Sequence, residues 1–424
     1  MASSRRVVIT GLGVLTPIGL DAARFWDGLA AGRSGIRKIQ SFDASPLPTS
    51  LAGEIDGFDA KKYIDKKERK QLRVMARPIQ FAVAAAQLAL DDAKIQKDKL
   101  DPTRFGVEFG AGLIPSELHE LGPAAVLSAN GQPGSVDLKT WGEQGIPAIA
   151  PLWMLKYLPN MLSCHVSILH NAQGPSNSIT ESDAAGLLAL GEAVRILRRD
   201  QADLFLVGGA DSKINPLSLT RQHIFNQLSR RLDAPEKACR PFDAGRDGIV
   251  HGEGGSVVVA EELEHAKKRG AVIYAEVVGF GSAFDKGATG KGLARAIRAA
   301  LGQAKIGPEE IDHVNAHGIS HPVSDVWESQ GIREVFGDKP RTVWAVKSYI
   351  GNLGAGGGMA ELAASLLAMK HGILPGTLNY DTPDPRCPVS VTRETTKITR
   401  PYVLKVGFTE MGQCAAVVCR KWDA

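Results

Sequence analysis

Two helices with almost no polar face restrict this chain more than any other feature. "AAGLLALGEAVRILRRDQADLFLVGGA" (184–210) and "MAELAASLLAMKHGILPGT" (359–377) each start at a Gly- or Ser-rich corner and run apolar almost all round. A helix of that kind has to be covered on every side. The two starts lie about 175 residues apart, which predicts an internal duplication: two α/β halves, each supplying a sheet and one central helix. The strands repeat as well. "RRVVITGLGVLTPIG" (5–19) and "VIYAEVVGFGSAFD" (272–285) share a plan of β-branched run, Gly-x-Gly and small residues. The expected fold class is α/β, layered α-β-α-β-α, with halves at residues 1–260 and 261–424. "EELEHAKKRGA" (261–271) joins them as an amphipathic helix.

Composition supports one large core. Hydrophobic residues make up 44% and charged residues 23% of 424, outside the range of disordered chains. A net charge of +4 is too weak to predict a nucleic-acid partner. The densest charge run, "KKYIDKKERKQLR" (61–73), mixes signs and reads as a solvated face, with a docking patch for an acidic partner as the alternative. No stretch reaches the roughly 18 apolar residues of a membrane span, and the first residues lack the pattern of a secretory signal. Five cysteines, Cys164, Cys239, Cys387, Cys414 and Cys419, are scattered without a metal-ligand spacing. They predict a reduced, cytoplasmic protein with no metal and no cofactor. A Gly/Pro-rich stretch at 114–160 with weak periodicity is expected to line a site or an oligomer contact.

The corner before the first central helix, "SNSITESDAAGLLALGEA" (176–193), carries Asp183. A carboxylate there can cap the free amides of the first turn, and the same setting suits a nucleophile. Three further stretches bear chemistry. "HVNAHGISHPVSD" (313–325) places His317 on a loop after a strand, and "AVKSYIGNLGAGGGMAE" (345–361) carries Lys347 and Asn352. "KVGFTEMGQCAAVV" (405–418) is a Gly loop feeding a final strand.

Together these stretches resemble the β-ketoacyl-acyl-carrier-protein synthases of the elongating class, over nearly the whole chain. "ACRPFDAGRDGIVHGEGGSVVVAEELEHAKKRGA" (238–271) is similar to the family's P-F-D-x-x-R-D-G-F-x-x-G-E-G stretch. "NAHGISHPVSD" resembles N-A-H-G-T-S-T-x-x-x-D, and "VKSYIGNLGAGGGMAE" resembles K-S-x-x-G-H-x-x-G-A-A-G-x-x-E. The resemblance implies the duplicated five-layered thiolase fold and a dimer sharing the first half's sheet. "SNSIT" is then the edge strand and "LFLVGG" the next one inward. It also implies partners, acyl carrier protein or acyl-CoA thioesters, and a pocket gathering Asp183, His317, Lys347 and Asn352. An amide of Phe408 or Thr409 would be the remnant of an oxyanion hole.

The departures from the family pattern matter most. The nucleophile motif G-P-x-x-x-x-x-T-A-C-[AST]-[AS]-G stands here as "GPSNSITESDAAG" (174–186), with Asp183 at the cysteine position and Glu181-Ser182 before it. The second family histidine is Asn352, and the closing G-F-G-G-x-N is "GFTEMG" (407–412). A carboxylate is a poor nucleophile toward thioesters, because the mixed anhydride lies uphill, so conventional condensation is expected to be lost. Three readings stay open. One is a chain-length-factor-like partner of a Cys-containing ketosynthase in fatty-acid or polyketide biosynthesis, as a heterodimer or homodimer. Another is a malonyl or acyl thioester decarboxylase using Asp183, His317 and Asn352. The third is a condensing acyltransferase with an unusual nucleophile, Ser182 being the substitute nearest the corner.

Overall fold

The computed structural model describes residues 5–225 and 227–422. Its framework is a run of eleven paired strands: β1 (Val7–Leu15), β2 (Phe105–Ala111), β3 (Ser176–Thr180), β4 (Leu204–Ser212), β5 (Glu253–Glu262), β6 (Ala275–Phe284), β7 (Ile311–Asn315), β8 (Thr342–Trp344), β9 (Ser390–Val391), β10 (Tyr402–Phe408) and β11 (Gln413–Lys421). Their spatial order is β9-β8-β7-β10-β11-β6-β1-β5-β4-β2-β3. The pairing pattern repeats. From β1 outward, β5 and β4 join antiparallel, then β2 and β3 parallel. From β6 outward, β11 and β10 join antiparallel, then β7 and β8 parallel. The two sets meet only through β1 and β6, where Val8 faces Glu276 and Ile9 faces Ala275.

The helices of the layers include α1 (Arg77–Asp92), α2 (Met161–His170), α3 (Ala185–Arg198), α4 (Lys291–Ala304) and α5 (Gly357–His371). α1 packs on β1, β5 and β4, and α4 on β6 and β11. α3 and α5 each touch strands of both halves and lie between them. This is the expected α-β-α-β-α, thiolase-like arrangement. β1 is buried along its whole length, as its nearly unbroken apolar pattern requires, and its one polar side chain, Thr10, donates to Glu261 at 2.7 Å.

Two expectations need correction. α5 is buried from Gly357 through Met369, but α3 is not covered on every side. Leu188 and Glu192 are half-buried and Arg195 is exposed, a stripe at helical spacing beside β3. The cause is topological: β3 is the sheet's edge, so no further strand covers that flank of α3. A hollow of about 310 Å³ opens there among Asn177, Ile179, Leu188, Arg195 and Phe280. Second, the strand inside β3 is β2, and "LFLVGG" (β4) lies one further in. The β3-α3-β4 crossover passes over β2, so neighbours in sequence are not neighbours in space.

Residues 114–160 form a helix, Leu118–Ser128, followed by short turns. This region exposes Val126, Val136, Leu138, Leu152 and Met154, each by more than half. Among the described residues no helix is long and apolar enough to cross a membrane.

Candidate functional site

The first corner is built where β3 ends and α3 begins. Between them Ser182–Ala184 make one tight 3-10 turn. Ser182 sits at φ +44°, a left-handed conformation that costs a non-glycine residue on the order of 1 kcal/mol or more. The turn is pressed from both sides. A Cβ on Gly110 would lie 2.2 Å from the Gly186 amide nitrogen, and one on Gly209 would lie 2.2 Å from the Ala355 carbonyl oxygen. Only glycine lets β2 and β4 approach the two helix entries this closely.

Asp183 does not cap α3, contrary to the sequence reading. No side-chain cap bond is made at either Glu181 or Ala184, the residues that open the turn and the helix. Asp183 stands inside the 3-10 turn, so its carboxylate leaves the helix axis instead of folding back over the first amides. One oxygen, Oδ2, accepts from the Ser182 hydroxyl at 3.1 Å. The other, Oδ1, is buried with no partner.

The second corner is assembled from five segments of the chain. Lys347, fully buried, donates to Glu361 Oε1 at 2.6 Å, to the His317 carbonyl at 2.9 Å and to His317 Nδ1 at 3.1 Å. Lys405 of β10 pairs with the other Glu361 oxygen and donates to the Ala316 carbonyl at 2.9 Å. Glu328 receives the amides of His317 and Gly318 at 2.6 and 2.8 Å, which fixes the loop. Burial, with Lys347 and Lys405 adding to it, holds the His317 imidazole well below its usual pKa. Because Lys347 donates to Nδ1, the ring proton belongs on Nε2, which has no partner among the described residues. Asn352 takes the Gly354 amide on Oδ1 at 3.3 Å, leaving its Nδ2 donor free. A Cβ on Gly357 would lie 3.8 Å from both Asn352 Oδ1 and Lys347 Nζ, so these two groups surround one point.

A cavity of about 340 Å³ brings together Ser182, Asp183, Asn352 and Thr409. His317, Lys347 and Phe408 are not on its walls. The Phe408 ring packs on His317 with centroids 4.2 Å apart and on Trp327 at 4.0 Å. Of the two amides considered for an oxyanion hole, that of Thr409 is engaged by the Gln413 carbonyl at 2.9 Å. Neither His317 nor Lys347 faces Asp183 as a counter-charge, because Lys347 is committed to Glu361 and His317.

The groups facing Asp183 were missed by the sequence reading. They are His251, Lys213, Arg221 and Glu410, all lining the same cavity. His251 is buried with neither ring nitrogen hydrogen-bonded. Burial first, then Lys213, pushes its pKa down to about 4, against the pull of Asp183. Burial and the neighbouring Asp183 raise the Glu410 carboxyl. Lys213 binds Asp211 at 3.0 Å and the Leu113 carbonyl at 2.9 Å. The available signal for His251 was its place in "RDGIVHGEGG" (246–255). The structure straps that segment to Asn352 through Asn352 N to Val250 O and Gly252 N to Asn352 O, both 2.8 Å. No cysteine lines the cavity.

Residues 4–266 match the β-ketoacyl synthase N-terminal domain and residues 274–381 the β-ketoacyl synthase C-terminal domain. The chain is 37% identical to the 3-oxoacyl-[acyl-carrier-protein] synthase 2 of Coxiella burnetii, over 90% of each chain. Among solved structures it is similar to "The ishigamide ketosynthase/chain length factor", with TM-score 0.88, 32% identity, and 99% of this chain and 100% of that one covered. It is also similar to a chain of a type II PKS acyl-carrier protein in complex with its ketosynthase bound to the hexaketide, at TM-score 0.83 and 28% identity, covering 99% and 100%. With the duplicated layers and the two glycine-rich corners, these matches show that the chain belongs to the β-ketoacyl synthase family, the ketosynthases of fatty-acid and polyketide biosynthesis.

Proposed function

We propose that this chain is a ketosynthase homologue without condensing activity, acting as the chain-length-factor-like partner of a Cys-containing synthase. The observation that carries this is Asp183, at the position collinear with the family's cysteine, on a cavity with no thiol on its walls. A carboxylate attacking a thioester would form a mixed anhydride, a less stable acyl donor than the thioester it came from. The likeness to a ketosynthase/chain length factor structure supports the reading. So does the unpaired edge β3, beside the accessible stripe of α3. A bare edge favours association, and so do the apolar side chains that 114–160 exposes. The partner, homologous or identical, would cover them, and acyl carrier protein or acyl-CoA thioesters would be the substrates of the pair, in the cytoplasm. The halves 1–260 and 261–424 are read as the two units of the duplication.

Intact-mass spectrometry after exposure to acetyl-CoA or acyl-carrier-protein thioesters tests this. No adduct is expected on the native chain, and Asp183→Cys is expected to gain one. An adduct mapped to Asp183 or Ser182 would make the protein a condensing acyltransferase with an unusual nucleophile. Light scattering that finds a monomer at micromolar concentration, alone and with a candidate synthase, would remove the partner role.

A second reading has its own support. His317 Nε2–H and Asn352 Nδ2–H are free donors, and two donors at a thioester carbonyl stabilise the enolate of a decarboxylating malonyl group. Against it, the carboxyl groups of Asp183 and Glu410 face the space the malonyl carboxylate would enter. Release of acetyl-CoA from malonyl-CoA, abolished in His317→Ala, would favour decarboxylation over the partner role.

A further inference from the structure

We propose that the cavity at Asp183 selects acyl thioesters whose chain carries a neutral hydroxyl, with His251 and Asp183 as the specificity-determining pair. This rests on the reading that acyl thioesters enter the cavity, whether or not any chemistry follows. Nothing about the ketosynthase motifs assigns a role to His251.

The observations are three. His251 is 4% exposed and lines the cavity with neither ring nitrogen satisfied. Asp183 Oδ1, on the same cavity, is buried and also unsatisfied. The remaining charges at the cavity are mixed, Lys213 and Arg221 against Glu410. Buried polar groups without partners are uncommon in native proteins, and each costs free energy until something fills it.

The unsatisfied set defines what fits. Burial keeps His251 neutral at physiological pH, so the ring offers one donor and one acceptor. Asp183 Oδ1 accepts. A hydroxyl donates one hydrogen bond and accepts others, so it can give to Asp183 and receive from His251. A carboxylate has no donor and meets the carboxyl groups of Asp183 and Glu410. A methyl or methylene satisfies neither group. An ammonium would suit Asp183 but would sit beside Lys213, which is already close enough to depress His251. The cavity therefore ranks a hydroxyacyl chain above an acyl chain, and both above a malonyl chain.

Isothermal titration calorimetry with 3-hydroxybutyryl-CoA, butyryl-CoA and malonyl-CoA tests the ranking on the full chain. The 3-hydroxybutyryl thioester is expected to bind at least about tenfold more tightly than butyryl-CoA, since a site built for a hydroxyl penalises its absence. In His251→Phe the ratio is expected to fall toward one. In His251→Gln, which keeps one donor and one acceptor, it is expected to recover in part. Recovery separates recognition from a loss of packing, and His251→Gln serves alone if the Phe variant does not fold. Equal binding of the two butyryl thioesters, tightest binding of malonyl-CoA, or no binding of any of the three overturns the proposal. An adduct or a failed partner assay would instead strike the proposed function while leaving this ranking measurable.

Discussion

At the second-half corner the buried charges answer one another: Glu361 takes Lys347 on one oxygen and Lys405 on the other, and His317 is held by Lys347 and Glu328. At the first-half corner one oxygen of Asp183 and both nitrogens of His251 are left without protein partners. Each central helix is entered through a one-turn 3-10 segment, Ser182–Ala184 or Gly354–Gly356, yet one entry ends in a closed ion network and the other in an open cavity. A closed network fixes positions. An open set of buried polar groups leaves room for water or ligand.

The contrast breaks most sharply at Glu361. Replacing it by alanine leaves two buried ammonium groups facing each other, and urea unfolding should show a loss of about 3–5 kcal/mol. A loss below about 1 kcal/mol would mean the network does not hold the second corner together.

Acid should probe the first corner next. His251 is pushed from its ordinary 6.5 down to about 4, so protonation favours the unfolded chain. Its share of stability is intact above about pH 6.5 and is lost as pH falls toward 4, by roughly 3 kcal/mol in all at about 1.4 kcal/mol per unit. Denaturation midpoints between pH 7 and 4 should fall less steeply in His251→Gln than in the native chain. Parallel curves would place the acid sensitivity elsewhere.

Where the corners meet, Gly209→Ala sets a methyl 2.2 Å from the Ala355 carbonyl oxygen and should cost about 1–3 kcal/mol by overpacking. A neutral result would show that the two halves are less tightly pressed than the backbone geometry implies. The smallest effect belongs to Asp183→Asn. With a single bond from Ser182 and no cap to lose, the melting temperature should shift by less than about 1 kcal/mol equivalent. A larger loss would reveal a structural role for the carboxylate.

Much of the fold was legible because its signals are local. Gly-rich entries followed by apolar helices marked α3 and α5, and β-branched runs marked β1 and β6. The partial exposure of α3 was not legible. Glu192 and Arg195 looked like isolated polar residues in an apolar run, and only the edge position of β3 gives them a side to face. The candidate residues inside long motifs, Asp183, His317, Lys347 and Asn352, were singled out by collinearity. Their division into a lined cavity and a buried network was not, because it depends on where Phe408 packs. His251 escaped because its link to the site is an exchange of backbone hydrogen bonds with Asn352, across about 100 residues of chain, that no local pattern encodes.

The central position of β1 has a consequence for how the protein is made. Its partners are β5 and β6, and Leu15 pairs with Gly255, 240 positions later in the chain. At roughly 5–20 residues per second, a ribosome needs about 12–50 s to supply that partner. Throughout that interval "VVITGLGVL" is a largely apolar strand with both edges bare, the kind of segment that seeds aggregation in incomplete chains. High expression should therefore reward more chaperone before it rewards any stabilising substitution in the finished fold.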